Sequence, residues 1–216
     1  TADPVKEKGT ENYVSPRKQG AGAINVEKAT SSDIYVLDSN NNPKTWLNDI
    51  DSKFEINLKV VNIGNEAKTL KYKTVLGTDE TEKGKFALKT KTLETIQGKE
   101  ITVPAKGSVD VKITVDASKF DAELSKQMPN GYFLEGFVFF EDAKDNTKEV
   151  SMAFSGFKGK WANVPLWEKS VYDFDLSKEL PMYMKQNGSF TPNFTSLVTV
   201  ENNPYARGKQ WTDKGV

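Results

Sequence analysis

The sequence predicts a mostly β protein: a β-sandwich of about seven strands, with one short helix and irregular extensions at both ends. Several segments alternate apolar and polar residues with a period of two, and clusters of turn-forming residues separate these segments. No regular alternation of strands and helices is present, and a doubly wound sheet would require one. The sequence therefore favours a sandwich over an α/β fold.

The first half of the chain supplies the clearest period-two pattern. Residues 54, 56, 58 and 60 are Phe, Ile, Leu and Val, and polar residues stand between them. This pattern is typical of a strand with one buried face. The other elements predicted in this half are a strand at Asp33–Asp38, a turn at Ser39–Pro43, a turn at Asn62–Lys68, a strand at Thr69–Leu76 and a polar loop at Gly77–Lys85.

The second half begins with a tight turn at 104–107 that separates two strands, one ending at Val103 and one alternating from Val109 to Val115. Ser118–Met128 is the predicted helix, with Ser118 as its cap and with Phe120 and Leu124 on one face. Gly131–Glu141 (GYFLEGFVFFE) is a dense apolar strand, expected at the centre of a sheet, and Glu149–Phe157 follows it after a turn. Strands at this spacing indicate an immunoglobulin-like or fibronectin type III-like sandwich.

Composition excludes several function classes. The 216 residues contain no Cys and no His, and 30 basic residues balance 30 acidic ones. Disulfides, thiolate zinc sites, imidazole ligands and Ser-His-Asp machinery are therefore absent from this chain. The zero net charge offers no field for nucleic acid, and no apolar run is long enough to span a bilayer.

Three possible ligand sites are weaker than their structural alternatives. Gly20-Ala21-Gly22 suggests a dinucleotide-binding loop, but Asn25 stands where the third glycine belongs. Asp38–Asn42 resembles part of a calcium loop without its central Gly or terminal Glu, so a plain turn is favoured. No pair of carboxylates is singled out for glycoside hydrolysis, and no cofactor or metal is expected.

The C-terminal region, residues 161–216, has aromatic residues but no clear periodicity. Trp161, Trp167 and Trp211 either anchor this extension to a surface or line a groove for carbohydrate or peptide. Anchoring is the more economical interpretation.

Residues 12–30 (NYVSPRKQGAGAINVEKAT) do not fit a sandwich, because they are rich in small residues and end in about one turn of helix. Ser15–Ala29 resembles the closing motif of subtilisin-type catalytic domains. Asp116–Phe120, Gln127–Phe137, Phe154–Gly159 and Asn193–Leu197 are similar to the first fibronectin type III-like domain of the streptococcal cell-envelope proteinases, the group of the C5a peptidase and lactocepin. The resemblance covers about Tyr13 to Pro204.

The resemblance implies three parts: residues 1–30 as the tail of an upstream catalytic domain, 31–160 as the sandwich, and 161–216 as an irregular extension. The small residues of the first part would allow close approach to the protease body. The residues expected to contact that body are Arg17, Gln19, Gly20, Ala21, Gly22 and Ile24. The motifs that carry the family's catalytic residues have no counterpart here, so this chain is not expected to be an enzyme.

The expected function is that of a non-catalytic accessory domain of a secreted, wall-attached subtilisin-like serine endopeptidase. Its partners would be the upstream protease domain of the same polypeptide and, as a further role, the protein substrate of that protease. The alternatives are an independent surface adhesion or ligand-binding module and, more weakly, a glycan-active enzyme that uses carboxylates. The chain is expected to be a piece of a longer protein.

Overall fold

The computed structural model describes residues 2–82, 85–145 and 149–163, and the backbone of two short strands beyond them. Two compact units result, Thr1–Ala162 and Asn163–Val216. The first unit contains, in chain order, β1 (Ala2–Asp3), α1 (Pro16–Gln19), β2 (Ala23–Ile24), α2 (Val26–Ser31), β3 (Ile34–Asp38), β4 (Thr45–Ile50), β5 (Lys53–Asn62), β6 (Lys68–Glu82), β7 (Lys85–Gln97), β8 (Ile101–Val103), β9 (Gly107–Asp116), α3 (Ser118–Gln127), β10 (Tyr132–Asp142) and β11 (Glu149–Lys158). A 3₁₀ turn at Trp161–Asn163 follows β11.

Two sheets form the sandwich. One has the strand order β4-β11-β10-β6-β7, with β8 pairing to β6 as well, and the other has the order β3-β5-β9. Every pair in these sheets is antiparallel except β4 with β11, which is parallel. The predicted β-sandwich is confirmed, and β10 is the central strand of the larger sheet as predicted.

The core lies between the sheets and uses every second residue of each strand. Ile56 and Val60 on β5 face Leu134 and Phe140 on β10, and all four are fully buried. Burying such a side chain contributes about 1.5–3 kcal/mol relative to leaving it exposed. Leu124 on α3 and the partly buried Phe120 close one end of the core, as their spacing predicted.

The predicted polar loop at Gly77–Lys85 is wrong. β6 continues to Glu82 and pairs with β7, which begins at Lys85. β4 and β7 were not predicted at all. Backbone pairing in β7 does not depend on apolar side chains, and its threonines suit a half-exposed strand. A window dominated by Lys, Thr and Glu therefore gives little signal of the strand it forms.

The predicted cap of the helix is also wrong. α3 begins at Ser118 itself, and its N-cap residue is Ala117, which makes no side-chain capping bond. The carboxylate Oδ1 of Asp116 accepts a hydrogen bond from the Ser118 backbone N–H at 3.0 Å. Asp116 therefore satisfies the free helix N–H one residue outside the usual capping position.

In the second unit, β12 (Phe194–Thr195) and β13 (Val198–Thr199) form an antiparallel pair. The predicted irregular character of residues 164–216 otherwise lies outside the described residues, as do Trp167 and Trp211.

Candidate interaction surface of the N-terminal segment

Residues 2–32, here called the N-terminal segment, have their own local structure. β1 and β2 pair antiparallel, with Ala2 opposite Ile24. The Ser15 hydroxyl caps α1 by accepting from the Arg17 backbone N–H at 3.1 Å. The Asn25 side chain caps α2 in the same way, accepting from the Lys28 N–H at 2.9 Å. Both short helices therefore begin at residues whose side-chain oxygens satisfy free N–H groups.

An aromatic contact holds this segment on the outer face of the larger sheet. The ring of Tyr13 lies 5.6 Å from that of Phe137 and 5.2 Å from that of Phe139, centroid to centroid. Both phenylalanines are buried, and with Val75 and Ala153 they form a second apolar cluster outside the sandwich core. The segment thus covers apolar surface that the sandwich leaves on its outside.

A partly buried ion pair lies beside this cluster, between Arg17 and the fully buried Glu135. The Arg17 guanidinium donates from Nε to Glu135 Oε2 at 2.8 Å and from an Nη to Oε1 at 3.0 Å, a bidentate contact. It also donates to Asp79 Oδ2 at 2.7 Å and lies 3.8 Å from the ring centroid of Phe133. Burial lowers the pKa of Arg17, but the two carboxylates raise it overall, so the guanidinium stays charged.

Glu135 depends on this arginine, because its side chain is fully buried in the middle of β10. The hydroxyl of Ser155 on β11 lies 3.4 Å from its Oε2 as a further donor. Removing the partner of a buried charge is strongly destabilising, whereas a paired charge is tolerated. The N-terminal segment therefore supplies the group that Glu135 requires.

Backbone groups of neighbouring strands are also satisfied by the segment. The Glu7 carboxylate accepts from the Thr90 N–H of β7 at 3.0 Å, and Asn12 Oδ1 accepts from the Thr92 N–H at 3.2 Å. β7 stands at the end of its sheet, where unpaired N–H groups invite pairing with another chain. These two side chains block that edge.

Two of the residues predicted to contact a protease body hold the segment together internally. Gln19 donates from Nε2 to the carbonyls of Val5 and Val14 and accepts from the Val5 N–H at 2.7 Å. At Gly22, where φ is +115°, a Cβ would lie 2.1 Å from the carbonyl oxygen of Asp3. The close backbone approach made possible by this glycine is therefore with β1.

The remaining predicted contact residues lie on the exposed side of the segment. Gly20 and Ala21 are exposed, and Ile24 is 86% exposed. Val26, two residues further on, is 67% exposed. The segment therefore binds the sandwich through Tyr13 and Arg17, and turns a separate pair of large aliphatic side chains to solvent.

Sequence reasoning identified Arg17 but not the groups that it meets. Glu135, Asp79 and Tyr13 were not predicted as parts of a site. The available signal was Glu135 itself, since a carboxylate inside the apolar run 131–141 requires a buried cation.

The supposed calcium loop is a turn, as favoured from its sequence. Asp38 accepts from the backbone N–H groups of Asn40 and Asn42, each at 2.8 Å. Burial raises the pKa of Asp38, but hydrogen bonds from Asn42 and Asn40 outweigh it and leave the pKa below its ordinary value. Among the described residues, no three carboxylates lie together as a metal site would require, and no helix could cross a membrane.

Known proteins similar to this chain include C5a peptidases of Streptococcus pyogenes. The protein from serotype M3 is 38% identical over 211 residues, which cover 89% of this chain and 18% of the peptidase. Those from serotypes M18 and M1 are 36% and 37% identical over similar lengths. The chain thus spans less than a fifth of the length of these relatives.

A family model described as an Fn3-like domain matches residues 45–154, from β4 to the middle of β11. That range is more than half of the chain and includes strands of both sheets, with β3 outside it. The chain therefore belongs to the Fn3-like domain family.

Proposed function

We propose that this chain is a non-catalytic accessory domain of a cell-wall-attached, extracellular subtilisin-like serine endopeptidase, and that it stabilises the protease body. Its similarity to C5a peptidases supports the parent class. The predicted tail of the catalytic domain, residues 1–30, is fastened to the sandwich through Arg17, which supports a rigid junction.

The observation that carries this proposal is the division of the N-terminal segment into two sides. Tyr13, Ser15 and Arg17 contact or bury against the sandwich, whereas Ile24 and Val26 remain exposed. Leaving two large aliphatic side chains exposed forgoes about 1.5–3 kcal/mol each that burial would supply. A protease body that covers Ile24, Val26 and Ala21 would recover this free energy and would be stabilised by the sandwich in turn.

The proposal is tested by mixing the 216-residue chain with the separately produced catalytic portion of a parent protease. We expect a complex in sedimentation velocity and a higher Tm of the protease portion. An Ile24→Asp, Val26→Lys double variant should abolish the complex and leave the Tm of the chain itself within about 2 °C, since exposed positions contribute little to folding.

The matched control is Ile63→Asp, because Ile63 is also a large exposed aliphatic residue, at 58%, but lies outside the N-terminal segment. This variant should associate as the unmodified chain does. Absence of any complex with the unmodified chain, or equal loss of binding in the Ile63 variant, would contradict the proposal.

A further inference from the structure

A cleft of about 250 Å³ lies at the β4 edge of the larger sheet, and neither Ile24 nor Val26 lines it. Its aromatic lining residues are Trp46, Phe133, Phe157 and Trp161, and its polar ones are Asn48, Asp49 and Ser155. Trp46 and Trp161 are 51% and 59% exposed, so both indoles are accessible. Drug-sized ligands occupy pockets of roughly 300 Å³ or more, so this cleft suits a smaller group, the size of one sugar ring.

The aromatic side of the cleft is held rigidly. The ring of Trp161 packs edge-on against Phe157 at 5.0 Å and tilted against Phe133 at 5.8 Å, centroid to centroid. The Trp161 backbone N–H donates to Asp49 Oδ1 at 3.1 Å, which ties the 3₁₀ turn to β4. The Trp161 indole is therefore fixed in place beside polar groups.

Several of those polar groups have no partner in the part of the chain that the structure describes. The Asn48 amide makes no hydrogen bond there, and neither indole N–H donates one. Asp49 uses only Oδ1 in the contact with Trp161. Donors and acceptors are thus both available around an aromatic surface, as a ligand with apolar C–H faces and peripheral hydroxyls requires.

Asn48 has a positive φ, a conformation that Asn adopts more readily than other non-glycine residues. Its φ is +55°, in the left-handed region that non-glycine residues seldom adopt. The register of β4 against β11 shifts here, so that two residues, Leu47 and Asn48, lie opposite Gly156. Bulges of this kind redirect a side chain and are frequent beside functional sites.

The same bulge argues against a peptide added as another strand. Strand addition needs an extended, regular edge, and β4 leaves the extended conformation at Asn48.

From these observations we propose that the cleft between Trp46 and Trp161 binds one pyranose ring of a glycan. A ring face stacks on the indoles, and its hydroxyls bond to Asn48, Asp49 Oδ2 and an indole N–H.

The test uses the 216-residue chain, titrated with cellotriose and chitotriose, and in parallel with ribonuclease B and its unglycosylated form ribonuclease A. Indole N–H resonances are followed by NMR, because the chain has only four tryptophans. We expect saturable shifts at Trp46 and Trp161 with a free oligosaccharide, with ribonuclease B, or with both. Response to the free sugars alone would identify a polysaccharide-type source, and response to ribonuclease B alone a glycoprotein.

Trp46→Ala should weaken binding at least about tenfold, the equivalent of 1.4 kcal/mol. Asn48→Gly relieves the positive φ, so it should keep or raise Tm while it weakens binding roughly threefold or more. Tyr35→Ala, which removes an exposed aromatic from the smaller sheet, should leave binding unchanged. Absence of shifts with every probe up to about 10 mM, equal response to ribonucleases A and B, or unaltered binding in both cleft variants would overturn the proposal.

Discussion

The two sheets of the sandwich differ in what covers their outer faces. On the smaller sheet, β5 and β9 turn polar side chains outward, and Lys112 pairs with Glu55 across them at 2.8 Å in solvent. On the larger sheet, β10 turns Phe133, Glu135, Phe137 and Phe139 outward, and the N-terminal segment contacts each of these four. Solvent covers the outer face of the smaller sheet, whereas the N-terminal segment covers the outward side chains of β10 in the larger sheet.

This difference explains the two kinds of strand in the sequence. A strand with one covered face alternates cleanly, as β5 and β9 do, because only every second residue is buried. A strand covered on both sides becomes mostly apolar, as β10 does between Tyr132 and Phe140, where Glu135 is the one charged residue. The apolar run of β10 therefore reflects burial beneath the N-terminal segment on one face as well as burial in the core on the other.

The largest effect is expected from removing Arg17, the cation on the covered outer face of the larger sheet. Arg17→Ala should lower the free energy of unfolding by roughly 3–5 kcal/mol, because Glu135 would remain buried without its bidentate partner. Urea denaturation followed by tryptophan fluorescence measures this loss.

A double variant separates charge from packing in this prediction. Arg17→Met combined with Glu135→Met removes both charges at similar volume and should recover most of the loss, since buried ion pairs are often replaceable by apolar residues. A loss below about 1 kcal/mol for Arg17→Ala, the value of an exposed pair, would show that the two faces do not differ as described.

The next largest loss of stability is expected at Tyr13, whose ring covers Phe137 and Phe139. Tyr13→Ala should cost about 2–3 kcal/mol, because it exposes Phe137 and Phe139 and ends two ring contacts. Increased binding of a hydrophobic dye would accompany the lower stability. Tyr35→Ala on the solvent-covered sheet is the matched control and should change stability by less than about 0.5 kcal/mol. Equal losses of stability in the Tyr13→Ala and Tyr35→Ala variants would show that the two outer faces do not differ in this way.

The sequence predicted the sandwich because its signal is local: alternation in β5 and β9, and turn residues between strands. It did not predict β4 or β7, whose pairing depends on backbone groups and on neighbours distant in sequence. β7 carries Lys, Thr and Glu at most positions and uses Glu7 and Asn12 to satisfy its edge. Nothing within residues 85–97 encodes that arrangement.

The contacts of the N-terminal segment were likewise only partly predictable from the sequence. Residues 12–30 were singled out because they do not fit a sandwich, and Arg17 was among them. That Arg17 pairs with Glu135, 118 positions away, could not be inferred from spacing, because the fold alone brings them together. A buried carboxylate in an apolar strand indicates that a cation is needed, but it does not indicate which one.

A smaller loss of stability is expected at Gly22, and it tests whether the N-terminal segment must keep its local backbone structure to cover the larger sheet. Gly22→Ala should cost about 1–2 kcal/mol, because its φ is +115° and the added Cβ would collide with the Asp3 carbonyl. Gly20→Ala is the matched control: its φ is +65°, but nothing lies within 4 Å, so only the backbone preference is lost. Hydrogen exchange across β1 and β2 should accelerate in the first variant much more than in the second.

The smallest effect belongs to the solvent-covered sheet, at the junction of β9 and α3. The Ser118 hydroxyl, the Lys53 ammonium and the Ser118 N–H lower the pKa of Asp116 to about 2. Because this pKa is lower in the folded state, the stabilisation is complete above the ordinary value near 3.8 and is lost as the pH falls towards 2. Asp116→Asn should therefore lower Tm by less than about 2 °C at pH 7, and the difference from the unmodified chain should vanish below pH 2. Ser118→Ala should lower Tm less, since the Ser118 backbone N–H still donates to Asp116. A larger effect for Ser118→Ala would instead make the Ser118 side chain the dominant group at this helix start. A difference for Asp116→Asn that stayed constant from pH 7 to pH 2 would show that ionisation of Asp116 plays no part.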